Sequence, residues 1–179
     1  MSIANKIIPH YTYDDWVIWE GKWELIEGHP IAMSPTPVPA HQRAAAEIRT
    51  ELTLALRKAN CKECRAYDPL DYKISEDTIL EPDILIVCGE IKKKYLDFPP
   101  ALVVEILSPS TALKDRHTKY ELYEKQGVKY YLIVDADKKT IEVYELSGKK
   151  YRKQSKSASN KFHLADDCII APEFSSVFS

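Results

Sequence analysis

Two acidic residues lie in the most apolar segments of the sequence, where a charged side chain is unexpected. Asp83 opens the segment 83–88, and Glu105 interrupts the segment 102–107. A buried carboxylate is costly unless it is paired or coordinates a metal. If the two segments form neighbouring strands, both carboxylates can bind one hard cation such as Mg²⁺. The pattern alone leaves a second interpretation open, in which Glu105 pairs with a lysine or points outward from a half-exposed sheet.

A helix predicted over residues 110–126 carries a further charged pair beyond the second strand. Asp115 and Lys119 are four residues apart and therefore share one helical face. A lysine near two metal-binding carboxylates can orient water or offset the charge that develops on a phosphate. An ordinary surface ion pair, worth at most about 1 kcal/mol, is the alternative. The apolar residues expected on the buried face of this helix are Leu113, Tyr120 and Tyr123.

The elements that must position these residues form a mixed pattern of strands and helices. Residues 23–33 predict a β-hairpin with Gly28 at its turn, and 41–60 predict a long helix with an apolar stripe. The almost continuously apolar segments 83–88 and 102–107 are typical of central strands covered on both faces. Further strands are expected over 129–135, 140–145 and, as a polar edge strand, 149–156. We expect a single α/β domain over residues 1–179, with a mixed central sheet flanked by helices.

Several of these motifs together resemble the Uma-two family of restriction endonuclease-like proteins, which belongs to the PD-(D/E)XK nuclease superfamily. The resemblance covers roughly residues 10–150, and the run from Glu105 to Thr111 is specific. The residues that carry it are Trp23 to Gly28, Met33-Ser34-Pro35, His41, Pro82-Asp83-Ile84, Leu102 to Thr111, Asp115, Lys119, Tyr123 and Gly127 to Asp135. It implies a restriction endonuclease-like core, a mixed sheet between helices with an N-terminal β-hairpin.

The resemblance also implies a divalent-metal site. Asp83 and Glu105 occupy the metal-binding positions, and the backbone carbonyl of Ile106 is implied as a further ligand of Mg²⁺, with Mn²⁺ as a substitute. The superfamily pattern places a lysine two residues after the acid, where this sequence has Leu107. The resemblance implies that Lys119, delivered from the following helix, takes the place of that lysine.

Other residues are candidates for the same site. The family hairpin carries a glutamate at the position of Glu24, although a solvent-facing strand residue is equally compatible with the pattern. His41, near the start of the long helix, is expected either to touch substrate or to cap the helix. Glu47 on that helix fits an exposed charge ladder better than a third acid. The remaining residues assigned to substrate binding are Ser108, Thr111 and Asp115.

Composition and charge restrict the classes of protein to consider. The sequence has 179 residues, 45% of them hydrophobic, and a formal net charge of −2. It contains no apolar run of about 18 residues, and its N-terminal residues lack the basic segment followed by an apolar segment that is typical of a signal peptide. Both observations favour a cytoplasmic protein without membrane segments. A dedicated nucleic-acid binder usually has a basic surplus, which is missing here. Local basic clusters, which form either a patch or solvated loops, are 92–94, 138–139 and 149–156.

The four cysteines are too few to indicate a secreted disulfide framework. Cys61 and Cys64 have the C-x-x-C spacing, but no second such pair completes a four-ligand zinc site. The spacing also falls near the end of a helical pattern, and not at a helix N-terminus where a redox pair gains a low thiol pKa. We therefore expect a helix end with incidental cysteines.

Taken with the resemblance, these features predict a Mg²⁺-dependent endonuclease that hydrolyses phosphodiester bonds of nucleic acid, with DNA as the preferred substrate. A nuclease-fold protein that binds nucleic acid or protein without cleavage is the main alternative. A carboxylate-pair glycosidase is a third interpretation, and it would need an aromatic sugar platform beside the acids. Because a duplex presents two scissile strands, a homodimer is expected, with edge strands and the hairpin from Tyr130 to Tyr144 as the interface.

Overall fold

The computed structural model describes residues 8–33, 38–155 and 161–179. Ser34 and Pro35 of the hairpin motif, and Lys156 of the predicted edge strand, lie outside the described residues. The helices are α1 (Tyr13–Trp16), α2 (Pro39–Lys58), a π-helical turn (Lys114–Lys119), α3 (Tyr120–Gln126) and a 3-10 turn (Phe174–Ser176). The strands are β1 (Trp23–Ile26), β2 (His29–Ala32), β3 (Cys64–Tyr67), β4 (Tyr72–Ser75), β5 (Thr78–Leu80), β6 (Ile84–Cys88), β7 (Leu102–Ile106), β8 (Tyr130–Asp135), β9 (Thr140–Ser147), β10 (Lys150–Lys153), β11 (Phe162–Ala165) and β12 (Cys168–Ile170).

A six-stranded mixed sheet forms the centre of the fold, in the order β10-β9-β8-β7-β6-β3. Strands β7 and β8 pair in parallel, whereas β6 pairs with β7 in antiparallel register. Ile84 lies opposite Val104, so the next position of the ladder sets Asp83 opposite Glu105. Strand β7 is buried along its whole length, as its apolar sequence predicts. The predicted mixed sheet is confirmed, and the two acids are cross-strand neighbours.

The alternation of side chains along the strands sends the two acids to one face of this sheet. Val104 and Ile106 pack on the face covered by α2, whereas Val103 packs on the opposite face. Successive side chains of a strand point to opposite faces, so Glu105 shares the face of Val103. That face is covered by α3 and its preceding π-helical turn, through residues such as Tyr123.

A smaller four-stranded sheet, in the order β2-β1-β5-β4, brings the N-terminal hairpin to the same region. Its two-residue turn has positive φ at Glu27 (49°) and Gly28 (76°), which is the geometry of a type I′ hairpin. The positive φ favours glycine at position 28, and a Cβ there, within 2.1 Å of the His10 ring, would have to displace that exposed side chain. Leu25 pairs with Ile79 of β5, a strand that the sequence analysis did not predict, and β5 leads directly towards Asp83.

The helix after β7 differs from its prediction in which face it buries. Leu113, expected in the core, is 77% exposed, whereas Asp115 and Lys119 are buried. Residues Lys114–Lys119 form a π-helical turn, which shifts the side chains relative to a regular α-helix. Tyr123 is fully buried, as predicted, and Gly127 ends α3 with a left-handed φ of 81°. The polar pair therefore occupies the core position that was predicted for the leucine.

The expectation of incidental cysteines is wrong. Cys61 is joined to Cys168 of β12, and Cys64 is joined to Cys88, its direct cross-strand partner between β3 and β6. The C-x-x-C spacing gave no indication of these pairs, because each of its two cysteines is bonded to a cysteine of another element. No helix among the described residues is long and apolar enough to cross a membrane.

Candidate active site

Asp83 and Glu105 converge at one end of the central sheet. The backbone N–H of Ile106 donates to Asp83 Oδ2 at 2.8 Å, which fixes the aspartate beside the end of β7. Glu105 is only 3% exposed. Both acids line a cleft of about 270 Å³, together with Ile106. The structure thus brings together the three residues that the sequence analysis assigned to a metal.

Lys119 lies at the centre of a buried acidic cluster. Its Nζ is 2.8 Å from Glu105 Oε1, 2.7 Å from Glu24 Oε1 and 3.8 Å from Asp115 Oδ1. The side chain is 3% exposed, so these contacts are shielded from water. The alternative of an ordinary surface pair between Asp115 and Lys119 is therefore wrong.

Glu24 reaches the cluster from β1 and is fully buried, which rules out the solvent-facing interpretation. Its Oε1 accepts a hydrogen bond of 3.0 Å from the backbone N–H of Glu81, just before Asp83. Its Oε2 accepts a hydrogen bond from Lys114. Lys114 was missed by the sequence analysis, because a regular helix gives no indication that residues 114 and 119 would meet the same carboxylate.

Two buried tyrosine hydroxyls donate hydrogen bonds to residues of this cluster. The Tyr123 hydroxyl donates to Glu105 Oε1 at 2.7 Å, and the Tyr131 hydroxyl donates to the backbone carbonyl of Asp115 at 2.8 Å. Burial raises the pKa of both phenols well above the ordinary value, and the charge of Glu105 adds to this shift. Both hydroxyls therefore stay protonated as donors, and they fix one carboxylate and the π-helical backbone.

His41 enters the site from the first turns of α2. Its Nε2 is 3.3 Å from Asp83 Oδ2, and its side chain is 13% exposed. The hydrogen bond with Asp83 raises the pKa of His41 above its usual value, although burial opposes the shift. Its Nδ1 is buried without a hydrogen-bond partner among the described residues. His41 therefore contacts a proposed metal ligand, and a helix cap is not needed to explain it.

Ser108 and Thr111 form the rim of the cleft in the turn that follows β7. The Ser108 N–H donates to Thr111 Oγ1 at 3.2 Å, and the two hydroxyls are 3.1 Å apart. Both residues line the cleft, as does Asp115. All three predicted substrate-binding positions of this segment thus face the same space.

The cluster carries more acids than cations. Four carboxyl groups (Glu24, Asp83, Glu105 and Asp115) face the ammonium groups of Lys114 and Lys119 and the imidazole of His41. Burial raises the pKa of Glu105 well above its ordinary value, and the neighbouring acids add to this shift against the opposing charge of Lys119. Burial likewise raises the pKa of Asp115. The site therefore has more carboxyl groups than cationic side chains, and burial favours the protonated forms of Glu105 and Asp115 in the absence of another cation.

Two groups of this cluster are nevertheless charged. Burial acts to raise the pKa of Glu24, but the nearby Lys119 and Lys114 outweigh it and lower that pKa below the ordinary value. Burial acts to lower the pKa of Lys119, but Glu105, Glu24 and Asp115 outweigh it and raise that pKa well above the ordinary value. Both shifts favour the charged forms of Lys119 and Glu24, which form a buried ion pair beside the cleft.

The residues present fit a divalent cation. Carboxylate and carbonyl oxygens are the donors that Mg²⁺ takes, usually one or two carboxylates with several waters. The surplus of carboxyl groups, and the buried Oδ1 of Asp115, which has no hydrogen-bond partner among the described residues, are consistent with a cation nearby. Within the described residues, no group of three or more His, Cys, Asp or Glu side chains is arranged to hold a metal ion. A site here would therefore depend on Asp83, Glu105 and backbone or water oxygens.

Other candidates do not meet at this cleft. Glu47 is not among the described residues that line it. Lys150 lies opposite Ser147, at the end of β9 that is remote from the acids, and pairs with Glu124. Lys93 pairs with Asp97, and Lys138 pairs with Asp135, each an acid close by in the sequence. The described lining contains no aromatic residue, which argues against the sugar platform of a glycosidase.

The comparisons with known proteins agree with this fold. The sequence matches the family described as "Uma2: Putative restriction endonuclease" over residues 13–170. An uncharacterized protein of Synechocystis sp. is 38% identical over 66 residues, so the match spans about a third (35%) of that relative and 35% of this chain. A crystal structure described as a putative nuclease belonging to DUF820, from Anabaena variabilis, has a TM-score of 0.71 at 20% identity and covers 93% of this chain and 97% of its own. The predicted restriction endonuclease-like fold is confirmed.

Proposed function

We propose that this chain, which belongs to the Uma2 family of restriction endonuclease-like proteins, is a metal-dependent endonuclease that hydrolyses phosphodiester bonds of DNA. The observation that carries the proposal is that Asp83 and Glu105, which are neighbours in the central sheet, line one cleft, and that Glu24 of the hairpin is joined to Glu105 through Lys119. These acids are held with a buried lysine at the position where the family resemblance implies the site.

In this proposal Asp83, Glu105 and the carbonyl of Ile106 hold Mg²⁺, with Mn²⁺ as a substitute. The metal, when bound, supplies a Lewis acid that activates water and stabilises charge on the phosphate. His41 orients Asp83 through their 3.3 Å contact, and Tyr123 orients Glu105 through its hydroxyl. Ser108 and Thr111 offer hydroxyl groups to substrate at the rim.

In this proposal Lys119 serves in place of the superfamily lysine, because Leu107 occupies that position in the sequence. Its Nζ lies 2.8 Å from Glu105 Oε1, so an ammonium group stands beside the proposed metal ligand. Glu24 and Asp115 keep that ammonium charged and fixed in position. The proposed role of Lys119 is to set the charge and orientation of the carboxylates.

A nuclease-fold protein that binds nucleic acid without cleaving it is the second candidate. The observation that favours it is the complete engagement of Lys119 by carboxylates at 3% exposure, since a lysine that orients water must reach the cleft. Binding without hydrolysis would then use the cleft rim alone.

The test is cleavage of labelled single- and double-stranded DNA in Mg²⁺ or Mn²⁺, beside Glu105→Ala purified identically. Cleavage by the wild type alone supports the nuclease and the assignment of Glu105. No cleavage by either folded protein on varied substrates favours the binding function. Equal cleavage by both indicates a contaminant or a site at another position.

A homodimer and a cytoplasmic location belong to the same proposal. The predicted interface needs correction, because Tyr130 and Tyr131 are buried inside the protomer and are not available to a partner. The edge strand β10 remains available for such contacts. A monomeric mass in light scattering at tens of micromolar would contradict the dimer.

A further inference from the structure

Two lysines of the site share one partner but differ in their surroundings. Lys114 and Lys119 each contact one oxygen of Glu24, Lys114 at Oε2 and Lys119 at Oε1. Lys119 also contacts Glu105 and Asp115 and is 3% exposed. Lys114 has Glu24 as its carboxylate partner, and its side chain is 15% exposed. The two ammonium groups are therefore not equivalent towards a molecule in the cleft.

Lys119 cannot leave its partners without a large cost. Moving its ammonium towards substrate would leave Glu24 and Glu105 buried and without their shared cation, which is strongly unfavourable. Lys114 can shift towards the cleft at lower cost, because Lys119 continues to neutralise Glu24. Of the two lysines, Lys114 is therefore the one whose ammonium group can move towards a molecule in the cleft.

Lys114 also stands where two depressions of the surface meet. It lines the cleft of Asp83 and Glu105, and it lines a neighbouring groove together with Ser110 and Thr111, which border both. The groove continues past His117 and the exposed side chain of Leu113. A chain that leaves the acidic cleft along this groove must pass Lys114.

The chemistry of the groove suits a nucleic-acid strand. Lys114 supplies positive charge, Leu113 supplies an apolar surface for a sugar or base, and Ser110 and Thr111 add polar side chains to the border of the groove. The basic cluster at Lys150, by contrast, lies at the other end of the sheet. Positive charge next to the site therefore comes from the π-helical turn.

We infer that Lys114, and not Lys119, is the residue that contacts a backbone phosphate of the bound strand and directs that strand into the groove beside the cleft. The inference rests on the proposed function, since it takes nucleic acid as the ligand. It assigns to Lys119 a positioning role and to Lys114 a binding role.

The experiment measures binding of a fluorescent DNA duplex by anisotropy over a range of salt concentrations. Ca²⁺ replaces Mg²⁺, because it also takes oxygen ligands but at longer distances, and the DNA is checked for integrity afterwards. Lys114→Gln removes the charge but keeps an N–H donor for Glu24. Lys150→Gln, a change of equal charge at an 81% exposed position, is the matched control.

A contact to one phosphate predicts that Lys114→Gln weakens binding at low salt and lowers the slope of log K against log salt by about one unit. Lys150→Gln should leave the slope of the wild type. Lys114→Gln should weaken binding by the same factor when it is combined with Glu24→Gln. A lysine that served only to pair with Glu24 would have no effect on DNA binding once Glu24 is replaced.

Equal slopes for Lys114→Gln and wild type would overturn the inference, as would loss of the effect in the Glu24→Gln background. Equal losses in Lys114→Gln and Lys150→Gln would also overturn it, because general electrostatic attraction would then explain both. Absence of binding by the folded wild type would reject the proposed function together with this inference. Wild-type binding with an unaffected variant rejects the inference alone.

Discussion

Lys119 Nζ lies 2.8 Å from Glu105 Oε1, and both side chains are almost completely buried. Removal of the cation would leave two buried carboxylates, those of Glu105 and Glu24, without their shared partner. Lys119→Met should therefore lower the free energy of unfolding by about 3–5 kcal/mol, measured by urea denaturation at pH 7. Lys138→Met, which removes a 77% exposed lysine from its pair with Asp135, is the control and should cost less than about 1 kcal/mol. Equally small losses in both variants would show that Lys119 is not the cation of a buried cluster.

Two acids of the candidate site could be proposed from the sequence, because a charged residue within an apolar segment is unusual. Asp83 and Glu105 stand out as charges within apolar strands, and the ladder sets them side by side. Glu24 could not be decided from the sequence, because its burial depends on β5, a three-residue strand too short to give a pattern. Lys114 was missed because its contact with Glu24 spans 90 residues and requires a π-helical turn.

Divalent cations should stabilise the wild-type protein, because the site has more carboxylates than cations. Mg²⁺ or Mn²⁺ should raise the melting temperature with increasing concentration, as expected for a ligand that binds the folded state. Asp83→Asn and Glu105→Gln should abolish most of this increase and weaken Mn²⁺ binding in calorimetry. Glu47→Gln, outside the described cleft lining, is the matched control and should behave as the wild type. Tight Mn²⁺ binding in both site variants would contradict the metal assignment.

Metal binding should weaken in acid at a pH above the range of an ordinary glutamate. Burial and the neighbouring acids raise the pKa of Glu105, so its carboxylate gains a proton, and loses affinity for a cation, at higher pH than usual. Asp115 contributes to this shift, so Asp115→Asn should move the acid limb of Mn²⁺ affinity to lower pH. Asp137→Asn, in the exposed β8–β9 turn, should leave the profile unchanged. A profile of Asp115→Asn that coincides with the wild type, or moves to higher pH, would exclude this coupling.

Asp71 should destabilise the fold at neutral pH. Burial, with a contribution from Glu81, raises its pKa to about 6, from an ordinary value of 3.8. The folded state then binds more protons than the unfolded state between these values, so stability falls as the pH rises through that window. Asp71→Asn should be more stable at pH 7.5 by about 1–2 kcal/mol, a figure reduced because the carboxyl keeps contact with water. Urea denaturation at several pH values measures it, and a gain that persists at pH 3.5 would contradict the cause.

The sequence predicted the elements whose own residues show a clear apolar pattern. It missed the features that depend on contacts with segments far away in the chain. The apolar strands β6 and β7 and the apolar stripe of α2 are recognisable locally. Leu113 is apolar yet exposed, because the interior position of its helix is taken by the ion pair of Asp115 and Lys119. Strands β11 and β12 are short, and among the described residues they pair with each other alone, so their sequences carried little signal.

The disulfides give the final prediction, because their partners are far apart along the chain. Cys61 and Cys168 are separated by 107 residues, and Cys64 and Cys88 by 24. Restriction of the unfolded chain predicts that the double variant Cys61→Ser, Cys168→Ser loses about 4–5 kcal/mol of stability, and Cys64→Ser, Cys88→Ser about 3 kcal/mol. Urea denaturation without reductant measures both.

Thiol titration of the unfolded wild type, without reductant, should detect no free thiol. The result also bears on location, because disulfides persist in oxidising compartments, whereas cytosolic proteins keep their thiols reduced. Four free thiols in protein isolated from cytosol under thiol-blocking conditions would support the predicted cytoplasmic location and contradict the pairing as the native state. No free thiols in the same preparation would show that the pairs form in the cell, and would count against a reducing compartment.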